Sequence, residues 1–269
     1  MNHGVEIPDH EVASLDNIAP GLFGLQIVMV NVYAITTDAG WALIDAGLPM
    51  SANRIRRWAE SQFPRHKPSM ILLTHGHFDH VGALPDLVRE WNVPVYAHPL
   101  EMPYLQGGKK YPPPDPTAGS GLMSLLAPFY PRGPIELGNQ VQSLPANGSL
   151  PDLDGWRWIH TPGHTEGHVS FYREADGRLV VGDAFSTTKA ESVLAIASQR
   201  PELHGPPAYY TSDWDAAKAS VELLAALKPQ TVAPGHGSPM TGPDVAPGLD
   251  RLATDFDVIA RPHKDKRAA

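Results

Sequence analysis

Apolar positions along this chain switch between a period of two and a period near 3.6. Leu25–Thr36 (LQIVMVNVYAIT) is a long β-rich run, and Gly40–Asp45 (GWALID) predicts a second strand, with Thr37-Asp38-Ala39-Gly40 as the hairpin turn between them. Ser51–Phe63 then takes helical spacing, with Ile55 and Trp58 suitably placed and Ser51 as its N-cap. Met70–Thr74 predicts a short buried strand, Ala83–Trp91 a second helix and Val93–Ala97 a further strand.

The second half repeats the logic. Trp156–Thr161 and His168–Arg173 predict strands, followed by Arg178–Val181 after the turn Asp176-Gly177. Asp215–Leu227 predicts an amphipathic helix, Thr231–Ala233 a strand and Asp244–Ala260 a last helix. Two β-rich halves that both carry helices predict two sheets packed face to face with helices outside. Residues 101–147 break the pattern, with Pro112-Pro113-Pro114-Asp115-Pro116, Gly119-Ser120-Gly121 and the apolar patch Leu122–Tyr130. Apolar residues among prolines fit a lid over a site better than a linker, so residues 1–269 read as one domain with a lid or insertion at 101–147.

Composition narrows the chemistry. The 269 residues contain no cysteine, which removes disulfides, thiolate ligands and a cysteine nucleophile, and leaves imidazole and carboxylate for any transition metal. A net charge of −8 argues against a nucleic-acid backbone as partner. No apolar run is long enough to span a membrane, and the N-terminal residues lack the basic and apolar regions of a signal peptide. A cytoplasmic protein acting on a small molecule is expected, with oligomeric state left open, a homodimer included.

The stretch LLTHGHFDHVG places His75, His77, Asp79 and His80 directly after a predicted strand. Alternate residues of a strand-end loop converge on one point, where imidazole nitrogens and a carboxylate suit zinc. Three other segments end in the same way: Thr161-Pro162-Gly163-His164, Val181-Gly182-Asp183-Ala184 and Ala233-Pro234-Gly235-His236. Each follows a strand and sets a ligand-type residue beside a glycine, which lets the backbone turn sharply. Five histidines and two aspartates at four strand ends predict a site for two metals.

With this ordered set, HxHxDH followed by His, Asp and His, the sequence resembles the metallo-β-lactamase superfamily from the hairpin holding Asn31 and Asp45 to His236. The resemblance implies a four-layer αββα sandwich of two mixed β-sheets with outer helices, the metals lying at one edge. It implies that His75, His77 and His164 hold one metal and Asp79, His80 and His236 the other, with Asp183 bridging. Asp45, in Ala42–Gly47, would support the ligands from outside. Two divalent ions about 3.5–4 Å apart lower the pKa of a shared water and make a bridging hydroxide. Asp79 would also orient that hydroxide, so Asp79 and Asp183 are the expected catalytic residues. Zinc is the expected metal, with iron and manganese as alternatives.

Asp183 and the lack of an export signal speak against a true β-lactamase, and the acidic charge speaks against a nuclease. TPGHTEGHVS is similar to the corresponding stretch of homoserine-lactone lactonases, in which a second histidine follows the ligand by four residues, as His168 does here. Those enzymes carry a tyrosine where this chain has Ser186, so Tyr209 or Tyr210 would have to fill that role. The expected reaction is hydrolysis of a small carboxylic ester or lactone. The alternatives are thioester hydrolysis as in glyoxalase II, a mononuclear iron persulfide dioxygenase, and a non-enzymatic metal-stabilised interaction protein. Tyr209, Tyr210, His204 and Phe129 are the expected substrate contacts. His98, His160 and His168 are expected to have structural roles, and His3, His10, His66 and His263 to be solvated.

Overall fold

Alternate residues of the central strands face two different cores, and this split builds the fold. The computed structural model describes residues 14–37, 40–118, 122–189 and 202–262. One sheet contains, in spatial order, β1 (Ser14–Ala19), β2 (Leu22–Ile27), β3 (Val30–Thr37), β4 (Gly40–Ile44), β5 (Met70–Leu72), β6 (Val95–Ala97) and β7 (Val141–Ser143). The first four strands pair antiparallel and the last four parallel. The other sheet runs β12 (Met240–Thr241), β11 (Thr231–Pro234), β10 (Arg178–Gly182), β9 (Val169–Arg173), β8 (Trp156–His160). Its pairs are antiparallel apart from β10 with β11.

Between the sheets pack Tyr33, Ile35, Ala42, Ile44, Met70 and Leu72 from one side and Trp156, Val169, Phe171, Val180 and Ala233 from the other. Their sequence neighbours Val32, Ala34, Trp41, Leu43 and Ile71 face outward, against α1 (Ala52–Gln62) and α3 (Leu84–Trp91). On the second sheet Leu179, Val181 and Val232 face outward, against α6 (Trp214–Ala226) and α7 (Val245–Thr254). The period of two thus fills one core between the sheets and one beneath each helical layer. The result is the expected αββα sandwich of two mixed sheets.

Several local expectations change. Leu25–Thr36 is not one strand. The chain reverses at Val28-Met29, where Ile27 pairs with Val30, and Val28 takes a left-handed φ of 59°. A β-branched residue is unfavourable there, so the turn carries none of the glycine or asparagine that would announce it. Ser51 stands at the N-cap position of α1, but its hydroxyl donates to Leu48 O at 2.6 Å and caps no helical N–H. The last helix is two, α7 and α8 (Phe256–Ile259), interrupted at Asp255. Strand β1 has no counterpart in the sequence reading. Thr37 pairs with Gly40 as a hairpin requires, while Asp38 and Ala39 lie outside the described residues.

Residues 101–147 contain α4 (Met102–Leu105) and α5 (Leu122–Leu126), and they end in β7, which completes the edge of the first sheet. No described helix is long and apolar enough to cross a membrane.

Candidate metal centre

The seven residues picked out by their strand-end positions converge at one edge of the sandwich. His75 and His77 lie in the loop after β5, and the short helix α2 (Phe78–Val81) presents Asp79 and His80. His164 follows β8, Asp183 follows β10 and His236 follows β11; all seven are buried. Two glycines permit the crowding. A Cβ on Gly82, at the end of α2, would lie 2.2 Å from Pro49 N, and one on Gly235 would lie 2.2 Å from Asp183 Oδ1.

Two groups share the cluster. His77 Nδ1 lies 3.1 Å from His75 Nε2 and 2.9 Å from His164 Nε2. Opposite them, His236 Nε2 lies 3.4 Å from Asp79 Oδ2. Asp183 spans both groups: its Oδ1 is 3.5 Å from His80 Nε2, and its Oδ2 is 3.4 Å from His164 Nε2 and 3.3 Å from His236 Nε2. Among the described residues His75–His77–His164, His75–His80–Asp183 and Asp79–His80–His236 could each hold an ion.

The surrounding hydrogen bonds decide which nitrogens face inward. His80 Nδ1 donates to Asp45 Oδ2 at 2.8 Å, and His236 Nδ1 donates to Met29 O at 2.8 Å. The Thr74 hydroxyl donates to Asp45 Oδ2 and therefore accepts from His75 Nδ1 at 3.0 Å. The Thr211 hydroxyl donates to Pro207 O and accepts from His164 Nδ1 at 3.3 Å. With their outer nitrogens occupied, these four rings turn Nε2 toward the cluster. The strained turn at Val28 places Met29 O on His236, and Asn31 Nδ2, donating to Pro234 O and Gly237 O, holds the loop that carries His236.

A cation fits this arrangement. A single hydrogen on His77 Nδ1 can serve only one of its two neighbours, so at least one of these close contacts sets lone pair against lone pair and favours a cation between them. Tetrahedral zinc with bonds of about 2.0–2.1 Å would hold such nitrogens about 3.3 Å apart. Buried His80 Nε2 and Asp183 Oδ1 have no hydrogen-bond partner. Burial, reinforced by neighbouring imidazoles, holds His77 and His164 down at about 3 and lowers His75 well below the usual histidine range. These rings are neutral, the form that ligates metal. Burial also opposes charge on His236, but Asp183 and Asp79 outweigh it and raise that ring to about 10. His80 is raised as well, with burial overcome by Asp183, Asp45 and Asp79. The carboxylates thus demand positive charge where a second ion would lie.

The other candidate residues separate. The Tyr210 ring packs 4.5 Å from that of His77, and its buried hydroxyl has no hydrogen-bond partner. Burial and then the charge of Asp79 push that phenol up. Tyr209 packs with Ala127 beside Met29, Tyr130 and Tyr210. His204 lies off the cluster, 3.6 Å from Glu202, with its backbone bridged to Ser186. Phe129 is 84% exposed and does not line the cluster. The Ser186 hydroxyl is occupied by Thr188 O and Gly205 O.

His168 is a supporting residue. Its Nδ1 donates to Thr161 O, and its Nε2 accepts the backbone N–H of Asp183 at 2.8 Å. His98 and His160 stack at 4.3 Å, and His160 Nε2 donates to Glu166 O. His66 is exposed, while His3, His10 and His263 lie outside the described residues. Thr74, Thr211 and Glu101 are absent from the sequence-based set, since a threonine or glutamate carries no local sign of the loop it will touch.

The family model of the metallo-beta-lactamase superfamily matches residues 25–236. Probable metallo-hydrolase YflN of Bacillus subtilis is 46% identical over 246 residues, covering 90% of this chain and 93% of its own length. Probable metallo-hydrolase YybB of the same organism is 27% identical over 187 residues, 68% of this chain and 72% of its own. Among solved structures, TTHA1623 in a di-iron-bound form superposes with a TM-score of 0.57 at 29% identity, over 86% of this chain and 95% of that one. BJP-1, a subclass B3 metallo-beta-lactamase of Bradyrhizobium japonicum, gives a TM-score of 0.61 at 20% identity over 92% of both chains, a likeness of fold alone. The extent of the family match and the identity to YflN show that this chain belongs to the metallo-β-lactamase superfamily.

Proposed function

We propose that this chain is a dinuclear metal-dependent hydrolase that cleaves a small carboxylic ester or lactone. The observation that carries the reading is the two facing groups, His75–His77–His164 and Asp79–His80–His236, joined by Asp183. Relatives named as probable metallo-hydrolases support the hydrolase class. Two divalent ions bound there supply a hydroxide near neutral pH and Lewis acidity toward a carbonyl oxygen. His75, His77 and His164 would hold one ion and Asp79, His80 and His236 the other, with Asp183 placed to serve both. Asp79 would additionally accept a hydrogen bond from the attacking water and aim it.

Tyr210 is assigned to the substrate. Its phenol stays protonated and has no protein partner, so it can donate to the carbonyl or leaving oxygen. Ala127, Met29, Tyr130 and Tyr209 beside it offer an apolar flank to an uncharged acyl group. Residues 101–130 reach the cluster through Tyr111, whose ring packs on His77 at 4.5 Å, and Tyr130, whose ring packs on Phe78 at 5.4 Å. That supports the lid reading of the segment. Zinc suits the nitrogen and oxygen donors, and the di-iron form of TTHA1623 makes iron the alternative.

The test combines elemental analysis with a panel of esters, lactones, thioesters and phosphoesters. The expected result is about two metal ions per chain, with turnover of an ester or lactone that falls by about 10²-fold or more in Asp79→Ala. One iron per chain with oxygen uptake on a persulfide would move the protein to the dioxygenase reading. A metal-loaded chain that hydrolyses nothing in the panel would leave a metal-stabilised binding protein.

A further inference from the structure

Glu101 is a fully buried carboxylate that the chemistry above does not use. It lies just before α4, and its two oxygens face different ligand loops. Oε2 accepts from Gly76 N at 2.9 Å and from the Tyr111 hydroxyl. Oε1 accepts from the Thr165 hydroxyl at 2.7 Å and Gly167 N at 3.0 Å. Gly76 lies between His75 and His77, and Thr165 directly follows His164. One carboxylate therefore ties together the two loops that deliver the first group of nitrogens.

Tyr111 adds a second tie. Its oxygen also lies 3.0 Å from Gly76 N, and its ring packs against His77 on one side and stacks on Tyr104 at 3.9 Å on the other. Space is limited as well as bonding: a Cβ on Gly76 would lie 2.6 Å from the Tyr111 oxygen, and one on Gly167 would lie 2.8 Å from Glu101 Oε1. Asp45 does comparable work on the other side, where it accepts from Thr74 N, the Thr74 hydroxyl and His80 Nδ1. Among the described residues, the four partners of Glu101 lie beside His75, His77 and His164, and none lies in α2, which carries His80, or in the loop of His236.

We propose that Glu101, assisted by Tyr111, is the positioning residue for the His75–His77–His164 ion, fixing the spacing of its two loops without touching the metal. The proposal rests on the dinuclear reading only for the presence of a second, unaffected ion. It also gives the 102–118 segment a direct mechanical link to the site, because Tyr111 joins substrate-side chain to ligand loop.

The experiment uses Glu101→Gln, which keeps size and removes the charge that accepts four bonds, and Tyr111→Phe, which removes one donor. In the metal-free proteins, amide exchange at Gly76 and Gly167 should accelerate about tenfold in Glu101→Gln, while Thr74, held by Asp45, stays within about twofold. Zinc affinity is then compared in two single-site backgrounds. With His236→Asn, which keeps the first group, Glu101→Gln should weaken zinc about 10–100-fold. With His164→Asn, which keeps the second, the change should stay within about twofold.

Tyr111→Phe should shift the same readouts in the same direction by less, and it decides the matter if Glu101→Gln does not fold. Equal weakening in both backgrounds would reduce Glu101 to a general structural staple and overturn the proposal, as would unchanged exchange at Gly76 and Gly167. If the unsubstituted chain binds fewer than two zinc ions, the dinuclear reading fails, and the metal-free exchange comparison still decides the role of Glu101.

Discussion

Two regions meet around His77 and are built in opposite ways. At the strand ends, four of the five ligand-type imidazoles have Nδ1 committed to an oxygen, and glycines let backbone and side chain approach to contact distance. In the stretch from α5 to Arg132, Leu125, Leu126 and Phe129 face solvent, and among the described side chains Ala127 and Tyr130 pack toward the site. The first region is over-determined and the second is held at few points. Such a division suits an enzyme whose chemistry is fixed while its substrate preference drifts.

The largest effect is expected on removing Asp183, the carboxylate that spans both groups of ligand-type side chains. Asp183→Ala should take the protein from about two ions to one or none and lower turnover by more than the ~10²–10³-fold typical of losing a single stabilising group. Elemental analysis after dialysis reads the stoichiometry. Retention of two tightly held ions would show that the strand ends do not act as one unit.

A smaller effect is expected one layer out. Asp45→Asn keeps the shape but weakens acceptance from His80 Nδ1 and from the Thr74 hydroxyl that orients His75. Metal affinity should fall about 10–100-fold, measured by competition with a chelating dye. Unchanged affinity would mean that packing alone orients these rings.

The two regions also differ in how far the sequence discloses them. The ligand-type residues are legible because they cluster just after apolar strands, five of the seven directly beside a glycine, which is local information. The period of two in β3, β4 and β5 likewise predicts the layered cores. What sequence reasoning misses is set by distant contact. Glu101 meets Gly76 across 25 positions and Gly167 across 66, and nothing near Glu101 announces either meeting. The turn at Val28-Met29 is hidden for another reason: it uses a strained valine where glycine would be the signal. Phe129 shows a further limit: an aromatic residue in a suspected lid suggests a pocket wall, and local sequence does not disclose that the fold turns it to solvent.

The supporting histidine gives a test that depends on pH. Burial, with help from the neighbouring His164, lowers His168 from 6.5 to about 3. The unfolded chain therefore takes up this proton first on acidification. The contribution of His168 is complete above pH 6.5 and is lost as pH falls toward 3. His77 and His164 act with the same sign in the metal-free protein, whereas His236, raised to about 10, contributes fully below 6.5 and loses its contribution as pH rises to 10. Urea denaturation of the metal-free protein at pH 7, 6 and 5 should show stability falling with acid. In His168→Gln the slope should be shallower by about 1 kcal/mol per pH unit. An unchanged slope would mean that His168 is protonated in the folded state, in conflict with the Asp183 N–H that its Nε2 accepts.

The smallest effect is expected at the rim. Phe129 is 84% exposed, so its ring loses little water on folding and its removal leaves no cavity. Phe129→Ala should change unfolding free energy by no more than about 0.5 kcal/mol and leave metal content untouched. If residues 122–130 close over substrate, the ring becomes useful only then, because an apolar acyl chain beyond the scissile bond would cover it. The variant should then raise KM for long-chain esters or lactones and leave kcat, and the KM of the shortest substrates, as they were. A chain-length series on one leaving group reads this directly. Loss of kcat across the whole series would place Phe129 in the rigid region, and the division between fixed chemistry and adaptable rim would fail at that residue.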